Sequence, residues 1–564
     1  MDKRETSNQE VTTSITTSTS KNNSSSSNNN KNKKDDDLVP PTIYSLKDLQ
    51  ITIPNDIREH LSQQYEAEFK GTAREHLDDI LQSMKLPPKT SICRVNLIQG
   101  SRESIQQELI EELKKNELEH FMVTPHPVLS DILCVDLKDA YYSTDNDSGA
   151  TASSSSLAMK GPAQTPDRPS IFGKWPKRIK FGWPMTHQVV VVDRFCGEAV
   201  LRGSNIFVKG ILSADVGIQK GDSVAVYADL GPSCSNTNKK AKIPRGTLLE
   251  QYTGRRCVYL GLGTACFKRA DMFRLDTGVG IIMSPHPEER PGPLLPPISG
   301  LLPSKLYFQN LPSAFVAHAL DPQPGEVIID MCSAPGGKTS HLASLVRNNA
   351  TIVACDKSRK KMVAVKAAME EMGISCIYPL ALNTTECVAT DEEINSDGIR
   401  RWKSVQKVLE AAKAGEDGLL NVSKFYPESF DRVLLDPPCS ALGLRPKLQI
   451  VHTTLKELQR VSLYQRKFVQ QAVALLKPGG IMTYSTCTFH ADENERMVRY
   501  ILDQYPELEL VPVLPSLNAV GRPGLKGMRL SEIECSYVRR FDPVPSNPDC
   551  DTIGFFLAKF KKKG

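Results

Sequence analysis

The chain has 564 residues, 40% hydrophobic and 24% charged, with 70 Lys and Arg against 65 Asp and Glu for a net charge of +5. Such a length leaves room for about four domains of roughly 150 residues and excludes a small disulfide scaffold. The mild basic excess permits a polyanion partner without requiring one, and no stretch approaches the roughly 18 apolar residues of a membrane span.

The start, Met1-Asp2-Lys3-Arg4, has no apolar run behind its charges, so no secretory leader and a cytoplasmic location are expected, a nuclear pool remaining open. The 14 cysteines contain no Cys-x-x-Cys, and the 10 histidines show no His-x-x-x-His or carboxylate cluster of ligand spacing. Neither a zinc ribbon nor any other metal is expected.

Between Val11 and Asn30, 17 of 20 residues are Ser, Thr or Asn, too polar to bury a core, so residues 1–38 read as a disordered tail. Residues 39–142 read as a small α/β region. Ile57, Leu61, Tyr65 and Phe69 have helical spacing within a helical stretch from Ile57 to Leu81, followed by a strand from Ser91 to Leu97, a helix from Ser104 to Asn116 and a strand from Ile132 to Val135. Residues 143–185 are a low-complexity linker ending in Lys174–Trp183, with four positive charges and three aromatics. Two readings of that end stay open: a surface that stacks on RNA bases, or a solvated linker anchored by its tryptophans.

From 186 to 284 short β-rich runs alternate with glycines: Val189–Val192, Ala199–Leu201, Ile206–Val208, Ser223–Tyr227, Cys257–Leu260 and Val279–Met283. This spacing predicts a small barrel. The stretch Cys196–Ile211, followed by Lys220–Val224, resembles a PUA domain, a pseudobarrel that usually binds RNA. The resemblance implies Arg202 and Lys209 as phosphate partners and Gly203 as a point of close RNA approach. Residues 285–301 are a Pro-rich connector.

Residues 302–564 alternate helix and strand: helix Ser313–Leu320, strand Val327–Met331, helix Thr339–Val346, strand Thr351–Cys355, and later Arg432–Leu435, helix Leu463–Leu476 and strand Ile481–Tyr484. That succession predicts a parallel, Rossmann-like sheet. Asp330-Met331-Cys332-Ser333-Ala334-Pro335-Gly336-Gly337-Lys338-Thr339 falls between strand and helix, where such sheets bind ligands. A Walker A loop is disfavoured, because Cys332 stands where its first glycine belongs. Asp356 ends the next strand, suited to ribose hydroxyls, and no Gly-x-Gly-x-x-Gly is present, so an adenosyl cofactor without pyrophosphate fits best.

Two further motifs end later strands: Asp436-Pro437-Pro438-Cys439 and Tyr484-Ser485-Thr486-Cys487-Thr488. They put an acid and two thiols on one sheet edge. With the cofactor loop and the ending Asp551–Phe560, they resemble the NOL/Sun-domain (NSUN) RNA cytosine-5 methyltransferases over Leu302–Phe560. A PUA module ahead of this domain resembles the sixth branch of that family.

The resemblance implies a Rossmann-like class I methyltransferase domain preceded by a PUA pseudobarrel and a small α/β region. Its cofactor would be S-adenosylmethionine, held by Cys332, Ser333, Ala334, Pro335, Gly336, Gly337, Lys338, Asp356, Asn383 and Asp436. It further implies Cys487 as the nucleophile that adds to cytosine C6, Cys439 as the residue that serves its release, Asp436 on the base edge with a carboxyl proton, and Lys338 favouring the thiolate. Asn383 departs from the family's aspartate. The implied partner is tRNA at its acceptor stem, with messenger RNA hairpins as a second RNA class and no membrane or metal. A noncatalytic RNA-binding protein on the same scaffold is the alternative. The tail and the long Thr385–Phe425 connection are expected on the surface.

Overall fold

The computed structural model describes residues 40–138, 179–180, 183–184, 186–232, 243–286, 289–298, 300–396, 404–450, 454–514, 521–544 and 551–564. The tail 1–38, the low-complexity part of the linker and most of Lys174–Trp183 lie outside the described residues. No described helix is long and apolar enough to cross a membrane.

Strand β1 (Thr42–Tyr44) precedes helices α1 (Asn55–Tyr65) and α2 (Ala73–Ser83). The helical stretch read from Ile57 to Leu81 is thus two helices, interrupted where Gly71 adopts φ +78°. Ile57, Leu61 and Tyr65 of α1 and Leu77, Ile80 and Leu81 of α2 are buried against Leu442, Phe489 and Leu525. Next come β2 (Ser91–Val95), α3 (Arg102–Lys115), β3 (Phe121–Pro125) and β4 (Ile132–Leu137). Ser101 caps α3, its Oγ accepting from Ser104 N at 3.2 Å.

A two-stranded hairpin pairs β5 (Ile179–Lys180) with β6 (Trp183–Pro184). Trp183 is buried edge-on to Tyr227 and Tyr252, so for this residue the anchoring reading holds. The barrel-like sheet then contains β7 (Gln188–Val192), β8 (Ile206–Phe207), β9 (Ile211–Ala214), β10 (Ser223–Pro232), β11 (Arg255–Ala265) and β12 (Val279–Met283), in the order β8-β12-β11-β10-β7-β9. Helix α4 (Arg194–Leu201) follows β7, and α5 (Arg269–Arg274) follows β11. The expected β-run Ala199–Leu201 is therefore helical. Asp193 caps it by accepting from Cys196 N at 2.9 Å, and Gly197 lets the helix lie on β10, where a Cβ would come within 2.5 Å of Ala228 Cβ.

The C-terminal part opens with β13 (Leu306–Phe308) and α6 (Leu311–Leu320). Its sheet elements are β14 (Val327–Asp330), α7 (Gly337–Leu345), β15 (Thr351–Asp356), α8 (Arg359–Glu371), β16 (Ile377–Ala381), α9 (Asp391–Ser396), α10 (Val405–Ala411) and β17 (Phe430–Leu435). They continue through α11 (Leu455–Leu475), β18 (Leu476–Thr486), α12 (Glu495–Gln504), β19 (Leu508–Val511), α13 (Glu532–Tyr537), β20 (Arg539–Phe541) and β21 (Phe555–Lys562). The strand order is β16-β15-β14-β17-β18-β21-β19. The first five strands are parallel and β21 is antiparallel to β18, which is the Rossmann-like sheet expected. An apolar cluster covers each face.

Several sequence boundaries do not correspond to structural units. β1 pairs in parallel with β11 of the barrel, and β13 completes the small sheet β13-β2-β4-β3. Residues 39–142 are thus shared between sheets, because strand pairing is non-local. The Pro-rich connector buries Leu294 and Ile298 in the small sheet's core. The Thr385–Phe425 connection is not a surface insertion either: Val405, Val408, Leu409 and Phe425 are buried in the main core.

Arg540, wholly buried, ties α1 to the C-terminal part. It pairs with Glu495 at 3.1 Å and Asp542 at 3.0 Å, and donates to Tyr65 OH at 2.8 Å. Burial pushes the Asp542 carboxyl up, but Arg522 and Arg540 override it and hold it well below the usual range. Arg540→Met strands Asp542 and Glu495 without their counter-charge. It is expected to cost about 3–5 kcal/mol, measured by denaturant unfolding.

Candidate active site

Asp330 ends β14, and the chain turns through Cys332–Gly336 into α7. Asp330 is buried. Burial pushes its carboxyl up to about 6, against bonds from Thr339 Oγ1 (2.7 Å) and Cys332 N (3.2 Å). Gly336 N donates to Ser333 O at 2.6 Å and Gly336 adopts φ +103°, which turns the backbone directly into α7. Ser333 N donates to Cys355 O, and Thr384 Oγ1 to Met331 O, both at 2.8 Å. The tips of β14, β15 and β16 therefore lie side by side.

Asp356 stands at the tip of β15 with Oδ1 accepting from Ser358 N at 2.8 Å, while its Oδ2 has no partner among the described residues. That oxygen is placed for a ribose hydroxyl. Asn383, exposed beyond β16, turns its Oδ1 onto Thr385 Oγ1 at 3.0 Å, which leaves its amide nitrogen to donate. An acidic strand tip, a glycine turn at a helix start and a neutral amide fit an adenosyl cofactor with no pyrophosphate.

β17 and β18 are parallel neighbours with Leu435 opposite Tyr484, so the loops that follow them leave on one edge. Pro437 and Pro438 stiffen the first. Cys439 Sγ and Cys487 Sγ approach to 3.2 Å. Beside them Lys338 Nζ donates to Asp436 Oδ2 at 2.6 Å and Ser485 Oγ to Asp436 Oδ1 at 2.9 Å. Both Asp436 oxygens thus act as acceptors. The donor of the ion pair is the Lys338 ammonium.

The two thiols are shifted in opposite directions. Hydrogen bonding with Cys487, then burial, pushes the Cys439 thiol well above its ordinary value. The same bond lowers that of Cys487; burial and Asp436 oppose it, while Lys338 and Lys447 assist. The two directions favour Cys487 over Cys439 as the nucleophilic sulfur.

A buried polar frame holds both turns. Glu493 accepts from Ser440 N (2.9 Å) and Gln465 Nε2 (3.1 Å), Gln465 Nε2 also donates to Pro438 O (3.1 Å), and Ser440 Oγ donates to Thr488 Oγ1 (2.8 Å). Farther along, Gly443 N donates to Cys487 O at 3.0 Å and Gly554 N to Gly443 O at 2.8 Å. A Cβ on Gly443 would come within 2.1 Å of Gly554 O. Gly443→Ala is expected to cost at least about 1–3 kcal/mol and to slow methyl transfer by moving Cys487. Thermal melting read beside activity checks both effects.

A cavity of about 1300 Å³ adjoins this edge, lined among others by Cys332, Lys338, Asp436 and Tyr307, and by Arg202 of the barrel. Of the expected RNA contacts, Arg202 and Gly203 share this cavity with the cofactor loop, whereas Lys209 is exposed outside its lining. Gly203 has a different reason for being small. At φ +93° its Cβ would come within 2.7 Å of Pro296 O, so it admits the connector's backbone.

Lys447, Glu493 and Gln465 were not singled out from the sequence. The acidic run Asp492-Glu493-Asn494-Glu495, just after Cys487, was the available signal. Lys447 had none, because it reaches the thiols through a loop fastened elsewhere. Glu198 of α4 accepts from Leu448 N at 3.0 Å, Arg194 Nη1 donates to Gln449 O at 2.8 Å, and Leu448 is buried in the barrel core.

A parallel sheet with its cofactor loop and two thiols at one edge defines a class I methyltransferase fold. The family model described as 16S rRNA methyltransferase RsmB/F matches residues 317–561, and the PUA domain model matches 188–234. The chain is 36% identical to the rRNA (cytosine-C(5))-methyltransferase NOP2C of Arabidopsis thaliana, over 69% of this chain and 76% of that one. It is 33% identical to the tRNA (cytosine(72)-C(5))-methyltransferase NSUN6 of Mus musculus, over 88% and 92%. The crystal structure of NSun6 from Pyrococcus horikoshii with SFG, an S-adenosylmethionine analogue, superposes with a TM-score of 0.57 at 26% identity, covering 90% of this chain and 98% of that one. The chain belongs to the RsmB/F (NOL1/NOP2/Sun) family of S-adenosylmethionine-dependent RNA cytosine-5 methyltransferases.

Proposed function

We propose that this enzyme methylates a cytosine in the acceptor stem of tRNA, near the 3′ end, through a covalent bond between Cys487 and cytosine C6. The observation that carries the mechanism is the 3.2 Å approach of two oppositely shifted thiols. Cytosine C5 is a poor nucleophile until a thiolate adds at C6 and makes it enamine-like. The cofactor supplies an electrophilic methyl when bound. Cys487 adds at C6, and the electron pair delivered to C5 forms the new bond to the methyl as the methyl–sulfur bond breaks, its electrons staying on the sulfur. The C5 proton then leaves to a base, Cys487 is expelled, and the C5–C6 double bond returns. Cys439 serves this second half, as the family resemblance implies. Lys338 offsets the charge on Cys487 and holds Asp436 against the base edge.

Support for tRNA comes from the NSUN6 relatives, which match the chain from the PUA module through the catalytic domain. The target base must leave its stack at a cost of a few kcal/mol, least near a helix end. Arg202, which lines the cavity shared with the cofactor loop, suits the adjoining single strand.

The test is transfer of labelled methyl to total tRNA, ribosomal RNA fragments and messenger RNA hairpins, with nucleoside analysis of each product. Label in 5-methylcytosine of tRNA, lost when the single-stranded 3′ end is removed, is expected. Arg202→Ala should lower the slope of log affinity against log salt by about 1. Label confined to ribosomal RNA would move the substrate to that of the NOP2C relative, and label confined to hairpins would move it to messenger RNA.

A further inference from the structure

His60, in α1, and His490 and Asp492, in the loop after Cys487, converge although about 430 residues separate the first from the others. His60 Nε2 lies 3.2 Å from His490 Nε2 and 3.2 Å from Asp492 Oδ2, and His490 Nε2 lies 3.3 Å from that same oxygen. The three atoms form a nearly equilateral triangle. Ligand atoms about 2.0–2.1 Å from a tetrahedral zinc stand roughly 3.3–3.4 Å apart, so the triangle has the size of one face of such a site.

The surrounding groups orient both rings. Glu493 Oε1 lies 3.0 Å from His490 Nδ1 and can only accept, so Nδ1 carries a proton. Gln64 accepts from Ala491 N at 2.9 Å through its oxygen, which orients its amide nitrogen, a donor only, at 3.2 Å from His60 Nε2. Two imidazole nitrogens and a carboxylate oxygen thus face one another at ligand spacing. A ligand histidine whose other nitrogen donates to a carboxylate is also the usual second layer of a zinc site.

The other His-rich cluster lacks this focus. There His318 and His341 take different oxygens of Asp131, at 2.8 and 2.7 Å, as a hydrogen-bonded chain.

We propose that His60, His490 and Asp492 bind one divalent cation of the zinc class, with the fourth position left to solvent, and that the ion clips α1 to the loop carrying Cys487. Two imidazoles and a carboxylate favour Zn²⁺ over Mg²⁺ or Ca²⁺. The two active-site thiols are a competing soft site, so the experiment uses full-length protein carrying Cys439→Ser and Cys487→Ser, stripped of metal by dialysis against chelator. Titration with Zn²⁺ is read by competition with a chromophoric indicator, and titration with Co²⁺ by visible absorption. One equivalent is expected, with tetrahedral Co²⁺ bands, no thiolate charge-transfer absorption and a rise in melting temperature on adding Zn²⁺.

His60→Ala and, independently, the near-isosteric Asp492→Asn should each weaken binding by at least about tenfold and abolish the rise in melting temperature. Circular dichroism before metal addition identifies a variant that has not folded, and the other then gives the reading. Failure to bind Zn²⁺ above background, equal affinity in both variants, or a thiolate signature would overturn the proposal and leave a cluster that shares protons only.

Discussion

Cys487→Ala is expected to lower methyl transfer by roughly 10⁴-fold or more, with RNA affinity nearly unchanged, because it removes the only step that makes C5 nucleophilic. Its side chain is already set for that step. It follows β18 directly, its carbonyl accepts from Gly443 N at 3.0 Å, and the hydrogen bond with Cys439 together with Lys338 and Lys447 lowers its pKa below the ordinary cysteine value. The measurement is single-turnover transfer of labelled methyl with 5-methylcytosine quantified. A variant that retains a rate within an order of magnitude of the parent would sink the assignment of Cys487 as nucleophile.

Cys439→Ala is expected to do something different: to stop the reaction after methyl transfer and accumulate protein joined to RNA. On a denaturing gel this appears as a retarded band removed by ribonuclease, and it should be absent when Cys487→Ala is added. An absent band in the single variant, or a band in Cys487→Ala alone, would reverse the two roles. The pair also sets a pH dependence. The hydrogen bond with Cys439 is the first cause of the lowered Cys487 pKa, so removing Cys439 is expected to raise that pKa toward its ordinary value. The pH profile of Cys487 alkylation in the absence of RNA should therefore move to higher pH in Cys439→Ala, and a shift the other way would contradict that cause.

The features readable from the sequence are those whose information is local. The loop Asp330–Thr339, the Asp436–Cys439 turn and the Ser485–Cys487 turn each directly follow a buried apolar run, and parallel pairing carries all three to one edge. What was missed depends on partners distant in the chain. Ala199–Leu201 has the composition of a strand, and the Asp193 cap with the close seat of Gly197 on β10 makes it a helix. β1 and β13 look like parts of their neighbours in sequence, yet pair with β11 and β2. His60 carries no signal by itself, since His490 and Asp492 reach it only through the packing of α1 on the catalytic loop.

The segment that begins at Cys439 does not end in the catalytic domain, because Leu448 fills the barrel core and Glu198 holds its backbone. The PUA module is consequently not a cartridge that evolution or an engineer can swap at the Pro-rich connector. A shortened protein starting at residue 302 would expose Leu448 to water and free the loop that carries Lys447. Any graft of a foreign PUA barrel has to bring its own socket for that side chain.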